Sequence, residues 1–208
     1  FRGRAPSSPS NHLRSRQQTG AILATGVPHA LELRAGVIVG KGGASFRMMR
    51  DVAARVPVIV RAPWLASEQQ PIGLDDVVAA LVRAVTLDTD GVLDLPGPTT
   101  LTSEAFLRMV AAQLHNRVVL LDRKLSVETI LQGVVRITRA DKAVVFAILD
   151  GADGADYVAT DDGLYAVCPD LPRTPLKDAI RKALIEEEAT VSGAGVVVED
   201  LVHRVFRA

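Results

Sequence analysis

The chain has 208 residues, 48% of them apolar and only 4% aromatic, with 24 basic and 24 acidic side chains and no formal net charge. This composition suits one Val/Leu/Ala-rich α/β domain, alone or with an appendage, and excludes a disordered chain. The charge balance leaves no footprint for nucleic acid or for a polybasic membrane surface, and no apolar run reaches the ~18–20 residues that span a bilayer.

The single cysteine, Cys168, can make neither an internal disulfide nor a Cys-based metal site. A reducing, cytoplasmic setting is expected. Residues 1–10 are basic and Pro/Ser-rich, with no apolar signal core and no initiating Met. They read as a loop cut from something longer.

Asn11 is a good N-cap, and 12–24 reads as a helix ended by Thr25-Gly26. Val27-Pro28 leads into one strand over 29–39, followed by a glycine turn at Gly40–Gly43. Phe46, Met49, Val52 and Ala53 form a helical stripe up to Arg55, and Val58–Val60 is a short strand. Residues 61–70 are irregular and 70–74 extended.

Asp75 opens a helix whose Val77, Val78, Leu81, Val82 and Val85 share a face. Gly91–Leu95 is a strand, Thr102 or Ser103 caps a helix with Phe106, Leu107, Val110 and Leu114 inward, and 117–121 is another strand. Helices are predicted over 126–135 and 141–149, and a turn-rich stretch over 150–156. A further helix begins after Thr174-Pro175, with Leu176, Ile180, Ala183 and Leu184 as its stripe. Glu186-Glu187-Glu188 lies at its C-terminal end, against the helix dipole, so fraying is expected there.

Strand, glycine turn and helix at 33–55 nearly fit a dinucleotide fingerprint, with Gly40-Lys-Gly42-Gly-Ala-Ser45 in the place of G-x-G-x-x-G/A. Arg61, at the end of the next strand, could then meet a 2′-phosphate. Ser45 is only a moderate substitute for the third small residue, and the chain beyond Arg61 does not continue as regular βα units. The other reading is a glycine-rich connection at the carboxyl edge of a sheet.

His12 and Arg16, four apart, share a helix face, which by spacing alone is an exposed polar turn. Asp75-Asp76 reads as a cap and first-turn acid rather than a metal or acid–base dyad. Asp161-Asp162-Gly163 reads as a turn. His29, His115 and His203 have no metal spacing, and no metal is expected. Cys168 lacks the context of a nucleophile. Trp64, in the irregular segment, lines a pocket or packs in the core.

Four stretches come in a recognisable order: His12-Leu-Arg-Ser-Arg16, Leu33-Arg-Ala-Gly-Val-Ile-Val-Gly40, Gln70-Pro-Ile-Gly-Leu-Asp-Asp-Val77 and Leu93-Asp-Leu-Pro-Gly-Pro98. Together they resemble the C-terminal half of an extended or atypical short-chain dehydrogenase/reductase, most like its NAD(P)H-binding, NmrA-like, epimerase-related members. The resemblance covers about residues 11 to 123, and more loosely Tyr157–Asp162 and Thr174–Leu184.

The resemblance implies a catalytic helix on which His12 and Arg16 stand where the family carries Tyr and Lys, with Ser15 at the family's common Ser. A histidine can do acid–base work near neutral pH, and an arginine can hold a ribose but does not replace lysine simply. It implies that Ala35, Gly36 and Val37 border the nicotinamide of NAD or NADP. It also makes Gly40, Gly42, Ser45 and Trp64 part of a substrate wall. The family's phosphate-binding glycine motif belongs to a first strand–helix turn, which nothing before His12 supplies.

The expected fold is therefore α/β: a partial Rossmann-type, doubly wound sheet lacking its N-terminal nucleotide-binding half, with a mainly helical C-terminal substrate-side region. Residues 1–123 would form the Rossmann-like part, 124–190 a helical extension and 191–208 a tail. The expected function is that of the substrate-side part of an NAD(P)-binding oxidoreductase or epimerase-like protein. The alternatives are a non-catalytic NAD(P)-sensing regulator and an inactive fragment. The cofactor would bind only in the complete protein. The partners expected are a small-molecule substrate and, through an exposed sheet edge, further copies of the chain.

Overall fold

The computed structural model describes residues 11–27, 29–56, 58–122, 127–138, 142–143, 145 and 158–192. The loop expected over 1–10, the turn over 150–156, most of the helix over 141–149 and the tail beyond 192 lie outside the described residues.

Helices α1 (Asn11–Thr25), α2 (Ala44–Arg55), α3 (Leu74–Ala84), α4 (Ser103–Gln113) and α5 (Val127–Thr138) alternate with short strands. A four-residue helix α6 (Leu164–Val167) and the long α7 (Leu176–Ser192) follow. Strand β1 (Leu31–Ala35) pairs in parallel with β6 (Gly91–Leu95), β2 (Ile38–Val39) with β5 (Ile72–Gly73), and β3 (Val58–Val60) with β8 (Val119–Leu121). The remaining pair, β4 (Glu68–Gln69) with β7 (Leu101–Thr102), is antiparallel. Parallel pairs joined through helices are the mark of an α/β protein, and the chain is a partial Rossmann-type fold.

The single strand expected over 29–39 is two strands. The chain bends at Gly36–Val37, leaves β6, and the Val37 carbonyl accepts a hydrogen bond from the Ile72 N–H at 3.0 Å. The apolar run is continuous because both halves are strand, but their pairing partners differ.

The main core joins α2, α4 and α7. Phe46, Met49, Val52 and Ala53 meet Phe106, Leu107 and Val110, with Ile180, Ala183 and Leu184 closing the third side. Burying each large side chain of this kind stabilises the fold by about 1.5–3 kcal/mol. Thr102 caps α4, its hydroxyl accepting from the Ala105 N–H at 3.1 Å. A second cluster lies against β1 and β6, where Ile72, Val77, Ala80 and Leu95 pack on Leu164, Tyr165 and Cys168.

Two sequence expectations change in these cores. On α3 only Val77 and Ala80 of the apolar positions are buried, whereas Val78, Leu81, Val82 and Val85 are 50%, 52%, 67% and 86% exposed. The stripe is wider than the one flank that the second cluster covers. Glu186–Glu188 are not the end of α7, since the helix runs on to Ser192 with Glu187 buried. No helix among the described residues is long and apolar enough to cross a membrane.

Candidate functional site

The paired strands β1 and β6 end together, Ala35 opposite Leu95. Beyond them Gly97 donates its N–H to the Gln70 carbonyl at 3.3 Å, and a Cβ at Gly97 would overlap the Pro71 carbonyl. The Gln70 side chain donates to Thr100 Oγ1 at 3.0 Å and accepts from the Ala159 N–H at 2.8 Å. The Thr160 N–H reaches Asp94 Oδ2 at 3.4 Å. Four distant segments thus meet at one rim, on which Ala35, Gly36 and Val37 are half-buried. Open α/β sheets bind ligands outside the carboxyl ends of their strands.

The glycine turn has a different environment. Gly40 is buried and packs directly on Leu74, leaving no room for a ligand at its Cα. Gly42 takes φ +85°, and its N–H donates to Glu187 Oε1 at 3.4 Å. Glu187, only 7% exposed, also pairs with Arg50. Arg50 binds Asp51 Oδ1 through Nε at 2.9 Å and Nη2 at 2.6 Å. The Gly42 N–H beside the N-terminus of α2 is therefore complemented by a carboxylate of the chain itself.

A pyrophosphate does not fit that turn. The topology agrees, because β2 and β3 belong to different pairs and β2–α2–β3 is no crossover within one sheet. Arg61 is answered as well, by Glu104 at 3.0 Å and Asp122 at 2.7 Å. Ser45 sits half-buried in the first turn of α2.

His12, Ser15 and Arg16 lie on α1. Ser15 is exposed, and its carbonyl accepts from Thr19 Oγ1 at 2.9 Å. The helix approaches β1 at Gly20, where a Cβ would run into the Glu32 carboxylate. Trp64, in a 3-10 turn at Pro63–Ala66, is half-buried and lines an apolar cavity with Met48 and Met49. Gly40, Gly42 and Ser45 do not line the cavity that Trp64 lines.

The Asp75-Asp76 pair diverges. Asp75 reaches Lys182 on α7, whose ammonium this hydrogen bond holds above its ordinary range. Asp76, 2% exposed, accepts from Thr174. Asp161 accepts from the Gly163 N–H at 2.7 Å within its own turn. His29 contacts Asp90 at 3.0 Å on the surface, and that hydrogen bond holds the Asp90 carboxyl below the usual range. Cys168 is fully buried in the second cluster. Among the described residues no three His, Cys, Asp or Glu side chains are grouped to hold a metal.

Sequence reasoning missed Glu187, Gln70 and Gly97. The only signal was local: prolines on both sides of Gly97 and next to Gln70 mark two rigid turns, but not that they touch.

No protein-family model matches the sequence, and no curated protein resembles it significantly. Solved structures do resemble it in fold. A candidate epimerase from Burkholderia cenocepacia J2315 is similar at 16% identity and TM-score 0.58, over 89% of this chain and 56% of that one. UDP-N-acetylglucosamine 4-epimerase from Methanobrevibacter ruminantium M1, solved with UDP-N-acetylmuramic acid, is similar at 11% identity and TM-score 0.54, over 90% and 59%. UDP-glucose 4-epimerase from Thermotoga maritima, solved with UDP-glucose, is similar at 12% identity and TM-score 0.52, over 86% and 52%. The chain thus spans little more than half the length of these proteins, and the likeness is one of fold.

Proposed function

We propose that the chain is the substrate-side part of an NAD(P)-binding oxidoreductase or epimerase of the atypical short-chain dehydrogenase/reductase type. The observation that carries this reading is the shared carboxyl end of β1 and β6, rimmed by Ala35, Gly36 and Val37. Helix α1, which carries His12, Ser15 and Arg16, approaches β1 at Gly20, against Glu32.

On this reading His12 holds or moves a proton at the substrate, Arg16 contacts the ribose or phosphate of NAD or NADP, and Ser15 positions the substrate. Ala35–Val37 wall off the nicotinamide and Ser45 faces the substrate side, whereas Gly40 packs on Leu74, the Gly42 N–H is taken by Glu187 and Trp64 lines an apolar cavity apart from them. The glycine turn does not grip phosphate, so cofactor binding needs a nucleotide-binding half that this chain does not supply. A second reading, an NAD(P)-sensing regulator without turnover, is supported by the resemblance, which sets His12 and Arg16 in place of the family's Tyr and Lys.

Two measurements test the proposal. The 208-residue chain alone is expected to show no NAD(P)H binding by calorimetry. A micromolar Kd would overturn the reading and restore Gly40–Ser45 as the dinucleotide turn. In the complete protein, His12→Ala is expected to abolish NAD(P)H-dependent turnover and leave cofactor affinity unchanged. Cofactor binding with no turnover across a substrate panel would favour the regulator.

A further inference from the structure

A cavity of about 170 Å³ lies between α2, β3, the Pro63–Ala66 turn and α5. None of Ala35, Gly36 and Val37 lines it, so it is separate from the rim of β1. Its wall is apolar: Met48, Met49 and Trp64 face Ile130, Gly133 and Val134, and Thr129 brings a hydroxyl.

Gly133 is the informative residue. Ile130, Gly133, Val134 and Ile137 follow helical spacing, so Gly133 stands on the face of α5 that packs on α2. Glycine weakens a helix interior. Close-packed interiors normally fill such a position. Yet a Cβ at Gly133 would meet no atom of the described residues within 4 Å. The helix carries its least favourable ordinary residue at a position that lines the cavity and has open space for a side chain.

We propose that this cavity is a binding site for a small uncharged apolar molecule or group, of the size of one aromatic or alicyclic ring. The volume suits that class, since an apolar cavity of about 150 Å³ takes up benzene or xenon, and this one opens to solvent on one side, which gives such a molecule a way in. The lining fits it as well. The Trp64 ring offers an aromatic surface, and the thioethers of Met48 and Met49 adapt to ring edges. No charged side chain lines the cavity, so a charged ligand would lose hydration without gaining a partner and is disfavoured.

The experiment titrates the 208-residue chain with benzene, using benzoate as the charged analogue. Benzene is expected to bind with a Kd on the order of a millimolar or tighter and to raise Tm, while benzoate does neither. Gly133→Leu fills the cavity and is expected to weaken benzene at least about ten-fold without lowering Tm. Gly133→Ala, whose methyl group has open space, keeps the fold intact if leucine does not and is expected to weaken benzene by roughly two- to three-fold. The proposal is overturned if benzene does not bind the wild-type chain, if it binds a folded Gly133 variant as tightly, or if benzoate binds equally well.

Discussion

Asp76 receives two hydrogen bonds from Thr174, at 2.8 Å from its N–H and 2.7 Å from its hydroxyl, across 98 residues of sequence. Asp76 is buried in the first turn of α3, and Thr174 stands just before α7. The pair therefore fastens the second cluster to the main core. Asp76→Ala leaves the Thr174 N–H without this acceptor and is expected to cost about 3 kcal/mol in urea unfolding. Thr174→Val removes only the hydroxyl, and its expected cost is about 1–2 kcal/mol. Equal, near-zero costs for both would show that the pair does not hold these elements together.

The approach of Gly97 to the Pro71 carbonyl makes the rim of β6 intolerant of any side chain. Gly97→Ala should destabilise by roughly 2–4 kcal/mol, because backbone on both sides must move. Gly42→Ala is the contrast: its Cβ has open space, so only the φ of +85° is penalised, by about 1 kcal/mol. Thermal unfolding of the two variants separates crowding from backbone conformation.

Burial pushes the Tyr165 phenol above its ordinary range. Asp76 adds to the rise, and Arg173, stacked 3.9 Å from the ring centroid, opposes it. A phenol raised in the folded state leaves stability unchanged below its unfolded value of about 10 and reduces it as the pH climbs toward the folded value. The chain has two tyrosines, Tyr157 and Tyr165. Absorbance titration is expected to resolve a late phenolate that disappears in Tyr165→Phe. An ordinary titration for Tyr165 would mean that the ring is wetter than the structure describes.

Along α1 the structure exposes Ile22 and Leu23, along α3 Val78, Leu81 and Val82, and just after α3 its C-cap Val85. The second edge of β1 pairs with no strand among the described residues. We propose that these surfaces drive self-association. Sedimentation should show oligomers at tens of micromolar. Val82→Glu with Val85→Lys, both at exposed positions, should shift them toward monomer with little change in Tm. A monodisperse wild-type monomer argues against the proposal.

Helix α2 was legible because its information is local. Phe46, Met49, Val52 and Ala53 repeat at helical spacing and all four are buried. The ends of β6 were equally legible, being written in neighbouring Gly and Pro residues, and the cap of α4, which the sequence left between Thr102 and Ser103, is Thr102. What failed depended on partners far away. Nothing in Glu186-Glu187-Glu188 announces Arg50 or the Gly42 N–H, and nothing in the valines of α3 says that only one flank is covered. The bend at Gly36 follows from two competing strand partners, which a continuous apolar run does not distinguish.

Each described strand pairs with one that is not its neighbour in sequence. Leu31 waits for Gly91, Val58 for Val119, and even Ile38 for Ile72. There is no hairpin among these pairs to start the sheet locally, so the chain must close long loops before any ladder repays the entropy. On the ribosome β1 emerges well before β6 is made, so their ladder waits until the residues between them have been synthesised. Refolding is expected to be slow for the size of the chain, with a rate read by stopped-flow dilution from urea.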